Sequence, residues 1–107
     1  MEAKVWKGHL DPMLLSILEV GPSHGYAIIE ELRRRSDGEF DLPEGSVYPA
    51  LHRLERRHLI ASSRIMAGGR ERRVYRLTGL GLRSVAEGRS EWRRFSTAVN
   101  SVLGTGA

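Results

Sequence analysis

The sequence predicts a mainly α fold with one β-hairpin (α+β): three short helices, a two-stranded hairpin and a long last helix. Three observations predict it. Apolar residues recur at helical spacing in three separate stretches, each bounded by capping or breaking residues. The pair Gly68-Gly69 stands between two short strand-like runs, where a tight hairpin needs positive φ. After Thr78 a seam repeats every seven residues, with Val85, Trp92 and Val99 at one position and Gly88, Phe95 and Val102 at the other. Such a repeat marks a helix lying lengthwise along another helix.

Residues 1–9 give little pattern beyond Val5 and Trp6, which suits a frayed arm or a short helix docked elsewhere. Asp11-Pro12 reads as a helix start, Asp as N-cap and Pro in the first helical position. Met13, Leu14, Ile17 and Leu18 form its apolar stripe, and Gly21-Pro22 reads as its end. Ser23 is the expected cap of a second helix running to about Arg35, with Ile28, Ile29 and Leu32 inward and Asp37-Gly38 stopping it. Phe40 and Leu42 are expected to tuck under the connector that follows.

The third helix is the one around which the chain is organised. Proline lacks an N–H and is tolerated in the first turn, where no N–H has a helical partner. That places Ser46 as N-cap and Val47, Tyr48 and Pro49 as the first three positions. Val47, Leu51 and Leu54 then share one face, while Tyr48, His52, Arg53, Arg56 and Arg57 occupy the others. Leu59 to Met66 reads as a strand and Arg70 to Leu77 as its return, with Tyr75 and Leu77 on one face. Thr78 is the expected cap of a helix reaching about Leu103, ahead of a disordered tail, Gly104 to Ala107. A core made of three helices and a hairpin leaves little to cover that helix. A partner chain is therefore expected on Val85, Trp92, Phe95, Val99 and Val102.

At 107 residues the chain suffices for one modest core. The expected division is residues 1–77 as one unit and residues 78–107 as a pairing helix with its tail. There is no Cys, hence no disulfide frame and no thiolate metal site. The four His, at 9, 24, 52 and 58, show no metal-ligand spacing, and no nucleophile motif or phosphate loop is present, so neither catalysis, nor a metal, nor a cofactor is expected. No apolar run approaches membrane-span length and no signal-peptide pattern opens the chain, so the default is a soluble cytoplasmic protein.

Charge narrows the function. Residues 45–76 carry eight Arg against two Glu, a net +6; residues 1–44 carry five Lys or Arg against nine Asp or Glu, a net −4. Positive charge gathered on one helix and one hairpin is the footprint of a surface that neutralises phosphates. Arginine also forms bidentate bonds to phosphate and to guanine. Three short helices followed by a two-stranded wing make a winged helix-turn-helix, with the third helix as DNA-recognition helix. The competing reading is a dimeric interaction module or antirepressor that keeps the fold without binding DNA, but such a module has no use for the basic patch. Single-stranded RNA is disfavoured, because the few aromatics sit at core or seam positions rather than on a stacking platform.

The sequence resembles the PadR family of transcriptional regulators. The resemblance rests on His24-Gly25-Tyr26 opening the second helix, the run GSVYPALHRLERRHLI from Gly45 to Ile60, and RVYRLTGLG from Arg73 to Gly81. With the apolar first helix and the Trp-bearing last helix it covers nearly the whole chain, and the single last helix is similar to that of the small subfamily. The resemblance implies a homodimeric repressor on an inverted-repeat operator, the recognition helix in the major groove and the wing near the flanking minor groove. It places DNA contacts on Ser46, Tyr48, Pro49, His52, Arg53 and, with them on the helix, Arg56, and wing contacts on Arg64, Arg70 and Arg72. It also implies that a small planar aromatic effector can bind between the subunits, for which Trp92 is the candidate residue. Two positions depart from the family pattern. His58 stands where Gly usually follows the recognition helix, so an exit without a left-handed turn is expected there; Val47 replaces the usual Thr or Leu.

Overall fold

The computed structural model describes residues 1–106. Ala107, the last residue of the expected tail, lies outside them. The chain forms α1 (Ala3–Trp6), a 3-10 turn (Lys7–His9), α2 (Leu10–Leu18), β1 (Ser23–His24), α3 (Gly25–Arg35), α4 (Glu44–Arg56), β2 (Ile60–Ala67), β3 (Arg70–Leu77) and α5 (Gly79–Leu103). It is the α-rich winged-helix arrangement that the sequence predicts, with one addition. The sheet has three antiparallel strands in the order β1-β3-β2, not two. β1 contributes only two pairs, Ser23 with Tyr75 and His24 with Val74. Two residues are too short for any alternating pattern, so the sequence shows Ser23 only as a helix cap. The cap of α3 is in fact His24, whose Nδ1 accepts the Ala27 N–H at 3.3 Å.

The core lies between α2, α3, α4 and the inner face of the sheet. Leu14, Ile28, Val47, Leu51 and Leu54 are fully excluded from solvent, and Ile60, Tyr75 and Val85 close the cluster. The stripe Val47, Leu51, Leu54 therefore faces inward as its spacing predicts. Trp6 is buried in the same cluster, so the short α1 is docked and not frayed. Burial raises the Tyr75 hydroxyl above the ordinary tyrosine range.

Three further helix boundaries differ from expectation. α2 begins at Leu10, following directly on the 3-10 turn, so Asp11 is inside the first turn and not its cap. α2 also ends at Leu18, ahead of Gly21, which does not take a positive φ. α4 begins at Glu44 with Pro43 as N-cap, two residues before the expected Ser46 cap. Pro49 is then inside the helix, where it cannot donate to the carbonyl four residues back, at Gly45. Both residues are exposed, so water can take that carbonyl.

α4 ends in a Schellman turn. The Leu59 N–H donates to the Leu54 carbonyl and the His58 N–H to the Glu55 carbonyl. The left-handed position falls on His58, at φ 62°, so the expected exit without a left-handed turn is not what the chain does. Leu54 and Leu59 supply the buried contact that accompanies this motif. Gly68 and Gly69, at φ 57° and 76°, make the two-residue wing turn as the sequence predicts.

Thr78 caps α5, its hydroxyl accepting the Gly81 N–H at 3.0 Å and lying within 2.7 Å of the His58 carbonyl, to which it donates. A Cβ on Gly81 would stand 2.0 Å from the Leu59 carbonyl oxygen, so α5 can cross the end of α4 this closely only with glycine there. Arg89 reaches Glu19 at 2.7 Å and pins α5 along α2. That hydrogen bond holds the Glu19 carboxyl below its ordinary range. Only Gly81 and Val85 of the 25 residues of α5 are buried.

Candidate nucleic-acid interface

α4 presents Tyr48, Pro49, His52, Arg53 and Arg56 to solvent, with Ser46 half-buried beside them. Tyr48 and His52 are one turn apart, as are Pro49, Arg53 and Arg56 along the adjoining row. The Tyr48 ring is held over the start of α3: a Cβ added to Gly25 would lie 2.5 Å from the ring edge. Gly25 of the His-Gly-Tyr motif is therefore the residue that lets α3 and α4 approach at this point.

Two ion pairs connect α4 to the opposite end of the chain. Arg53 lies 3.3 Å and Arg57 3.7 Å from the carboxylate of Asp11 on α2. Sequence reasoning assigns Asp11 only a capping role, because nothing local connects residues 42 positions apart. Asp11 instead sets where two cations of α4 stand in the free protein. Both pairs are exposed, so their contribution to stability is small.

The wing is the outer part of β2 and β3, where Arg64 faces Arg73, Ile65 faces Arg72, Met66 faces Glu71 and Ala67 faces Arg70. Side chains alternate between faces along a strand. Arg64 and Arg73 therefore continue the face that buries Ile60 and Tyr75 nearer the core, while Arg70 and Arg72 lie on the other. The three expected wing contacts do not share one face. Arg73, absent from the expected set, donates to the Ser62 hydroxyl, which itself donates to Glu55 at the end of α4. This chain ties the wing to α4. Arg64 pairs loosely with Glu71 at 3.5 Å, and Arg72 lies 3.2 Å from Nε2 of His24. The signal that could have found the split is the strand alternation itself, once the register had been fixed by the Gly68-Gly69 turn.

The seam on α5 is divided. Val85 is 2% exposed and belongs to the chain's own core, so it is not open to a partner as expected. It lies near the cap, where α5 crosses the core, and the seven-residue spacing does not distinguish the first two turns from the rest. Beyond it Trp92 and Phe95 are 52% and 54% exposed, Val99 is half-buried and Val102 is nearly free. His9 packs its ring edge-on to Trp92, centroids 5.1 Å apart, and Phe95 lies 6.2 Å from the same ring. Among the described residues no group of His, Asp or Glu is placed to hold a metal ion, and no helix is long and apolar enough to cross a membrane.

Residues 14–87, most of the chain, match the transcriptional regulator PadR-like family. The chain belongs to that family. A transcriptional regulator of Mycobacterium tuberculosis is 37% identical over 81 residues, which span 76% of this chain and 70% of that protein. A transcriptional regulator from Clostridium thermocellum superposes with a TM-score of 0.85 at 30% identity, covering 92% of this chain and 96% of that one. A PadR family transcription regulator from Clostridium difficile gives 0.79 at 35% identity, covering 89% and 98%. The matching PadR region includes α4, the wing and the first turns of α5. The chain is a winged-helix regulator of transcription of the PadR-like family.

Proposed function

We infer that this PadR-family chain acts in the cytoplasm as a homodimeric repressor on an inverted-repeat operator. Residues 1–77 serve DNA and residues 78–107 serve pairing. The observation that carries the pairing is α5 itself. A helix of 25 residues, about 37 Å long, buries only Gly81 and Val85 and leaves Trp92, Phe95 and Val102 uncovered. An apolar stripe left open along the second half of the helix calls for a partner. A second copy supplies a matching stripe, and two-fold pairing is self-complementary. Two recognition helices related by such an axis read half-sites of an inverted repeat.

Within each half-site, His52 and Arg53 face base edges, with Ser46, Tyr48, Pro49 and Arg56 beside them. Arg64, Arg70 and Arg72 of the wing meet the backbone. An effector, if the dimer takes one, is a small planar aromatic compound between Trp92 and its symmetry mate. The His9 and Phe95 rings around Trp92 support that reading.

Selection of bound sequences from random duplex, followed by titration over a salt series, tests the DNA part. His52→Ala or Arg53→Ala should relax preference at one or two bases, at about 1–3 kcal/mol for each base no longer read. Arg70→Ala should weaken all duplexes alike and lower the salt slope by about 1 for each phosphate no longer neutralised. Equal loss on operator and scrambled duplex for the His52 and Arg53 variants would mean that α4 does not read bases. Sedimentation tests the pairing: a well-folded monomer of the unaltered chain at micromolar concentration would refute it, and Phe95→Asp with Val99→Asp should abolish the dimer.

A further inference from the structure

The geometry points to a binding site for one DNA backbone phosphate in the notch between α3, α4 and the wing, gripped by His24 and Arg72. This rests on the reading of the chain as a DNA-binding dimer. It adds a residue, His24, that the recognition-helix and wing contacts do not include.

The His24 ring has two nitrogens, and each is already in contact. Nδ1 accepts the Ala27 N–H, which caps α3. A neutral imidazole has one acceptor and one donor nitrogen, so its proton must then sit on Nε2. The neighbour of Nε2, at 3.2 Å, is the Arg72 guanidinium, which has donors and no acceptor. Two donors thus face one another at 3.2 Å, and neither can accept the other's hydrogen. The register brings them together: His24 pairs with Val74, and Arg72 is the next residue of β3 on that face.

An anion offers both donors an acceptor at once. The surroundings carry the matching sign. The notch is about 200 Å³ and is lined by His24, Gly25, Tyr26, Tyr48, Arg72 and Arg73 together with Tyr75. There are two guanidiniums and three tyrosines among those residues and no carboxylate. The bare Gly25 lets the Tyr48 ring lie close, so the hydroxyl stands at the rim. A phosphodiester is the anion of fitting size that the neighbouring helix and wing would bring here. Its two free oxygens can accept from Nε2–H and from the Arg72 fork at once. The site would fix the spacing between wing and recognition helix on the duplex, and carry no base preference.

The test uses the full chain and its selected operator, with single methylphosphonate linkages placed in turn along each half-site. Each linkage removes one backbone charge. His24→Asn keeps a side-chain oxygen to cap Ala27 but has no ring N–H to give the phosphate. His24→Asp keeps the cap and places a carboxylate in the notch. Both should melt at the temperature of the unaltered protein. His24→Asn should bind operator and scrambled duplex about tenfold more weakly per half-site, and His24→Asp more weakly still. One linkage per half-site that costs the unaltered protein affinity should cost His24→Asn less, and Arg72→Gln should likewise reduce the cost of that same linkage. Wild-type affinity for His24→Asn, or an unchanged linkage pattern in it while operator binding persists, would overturn the phosphate site alone. Failure of the unaltered protein to bind any duplex would overturn both this site and the DNA-binding reading beneath it.

Discussion

His58→Gly should make the protein more stable, and the structure sets by how much. His58 holds φ 62° at the end of α4 because the Schellman turn requires a left-handed residue there. For a residue with a Cβ that conformation costs about 1–2 kcal/mol. Glycine removes the strain but adds freedom to the unfolded chain, worth about 0.5–1 kcal/mol. The difference leaves a gain of about 0.5–1 kcal/mol, or about 2–5 °C in melting temperature for a chain of this length. Little else changes. The His58 side chain is exposed, and what Thr78 engages is its backbone carbonyl. The assay is urea unfolding at one fixed protein concentration, since the stability of the proposed dimer would depend on it. His58→Ala is the control: it keeps the Cβ and should stay within about 0.5 kcal/mol of the unaltered chain. If His58→Gly unfolds at lower urea with an unchanged slope, the left-handed turn is not strained and the account of this helix exit is wrong.

Asp11→Asn should release Arg53 and Arg57, each from an exposed pair worth at most about 1 kcal/mol. Affinity for operator and scrambled duplex should rise by up to about fivefold for each arginine released; a fall on the operator alone in a binding titration would show that Asp11 positions Arg53 for reading. The Glu31 carboxyl is drawn down to about 2 by its hydrogen bonds with Arg34 and Arg35, and by their charge. A depressed carboxylate stabilises the fold above its unfolded value and loses that contribution as pH falls through its folded value. The pair should thus persist from neutral pH through pH 4, and a carboxyl carbon titration by NMR with its midpoint near 4.5 would contradict it.

Features fixed by local chemistry were legible in the sequence. The stripe Val47, Leu51, Leu54, the glycine pair of the wing turn and the Thr78 cap each depend on residues within a few positions. Features that depend on partners far along the chain were not. β1 exists because β3 offers it an edge, and Asp11 meets Arg53 only after α2 and α4 pack. The start of α4 was misplaced because the usual signal is a capping side chain, and Pro43 supplies none. Of the candidate site, exposure of the α4 residues followed from periodicity. The partition of the wing arginines between two faces required a register, and the His24–Arg72 contact required the third strand.

The three-stranded sheet is three strands wide for only two residues. β1 covers Tyr75 and Val74, and beyond them, from Arg64–Arg73 to Ala67–Arg70, each strand of the ladder has a single neighbour and mostly exposed side chains. A lone two-stranded ribbon is marginal in water. The outer wing should therefore open on its own, far below the free energy of global unfolding, and its amides should exchange with solvent long before those of Ile60 or Tyr75. A duplex that stills this ribbon must supply the ordering entropy. On the proposed DNA-binding reading, part of the temperature dependence of operator affinity is thus set in the free protein, by how short β1 is.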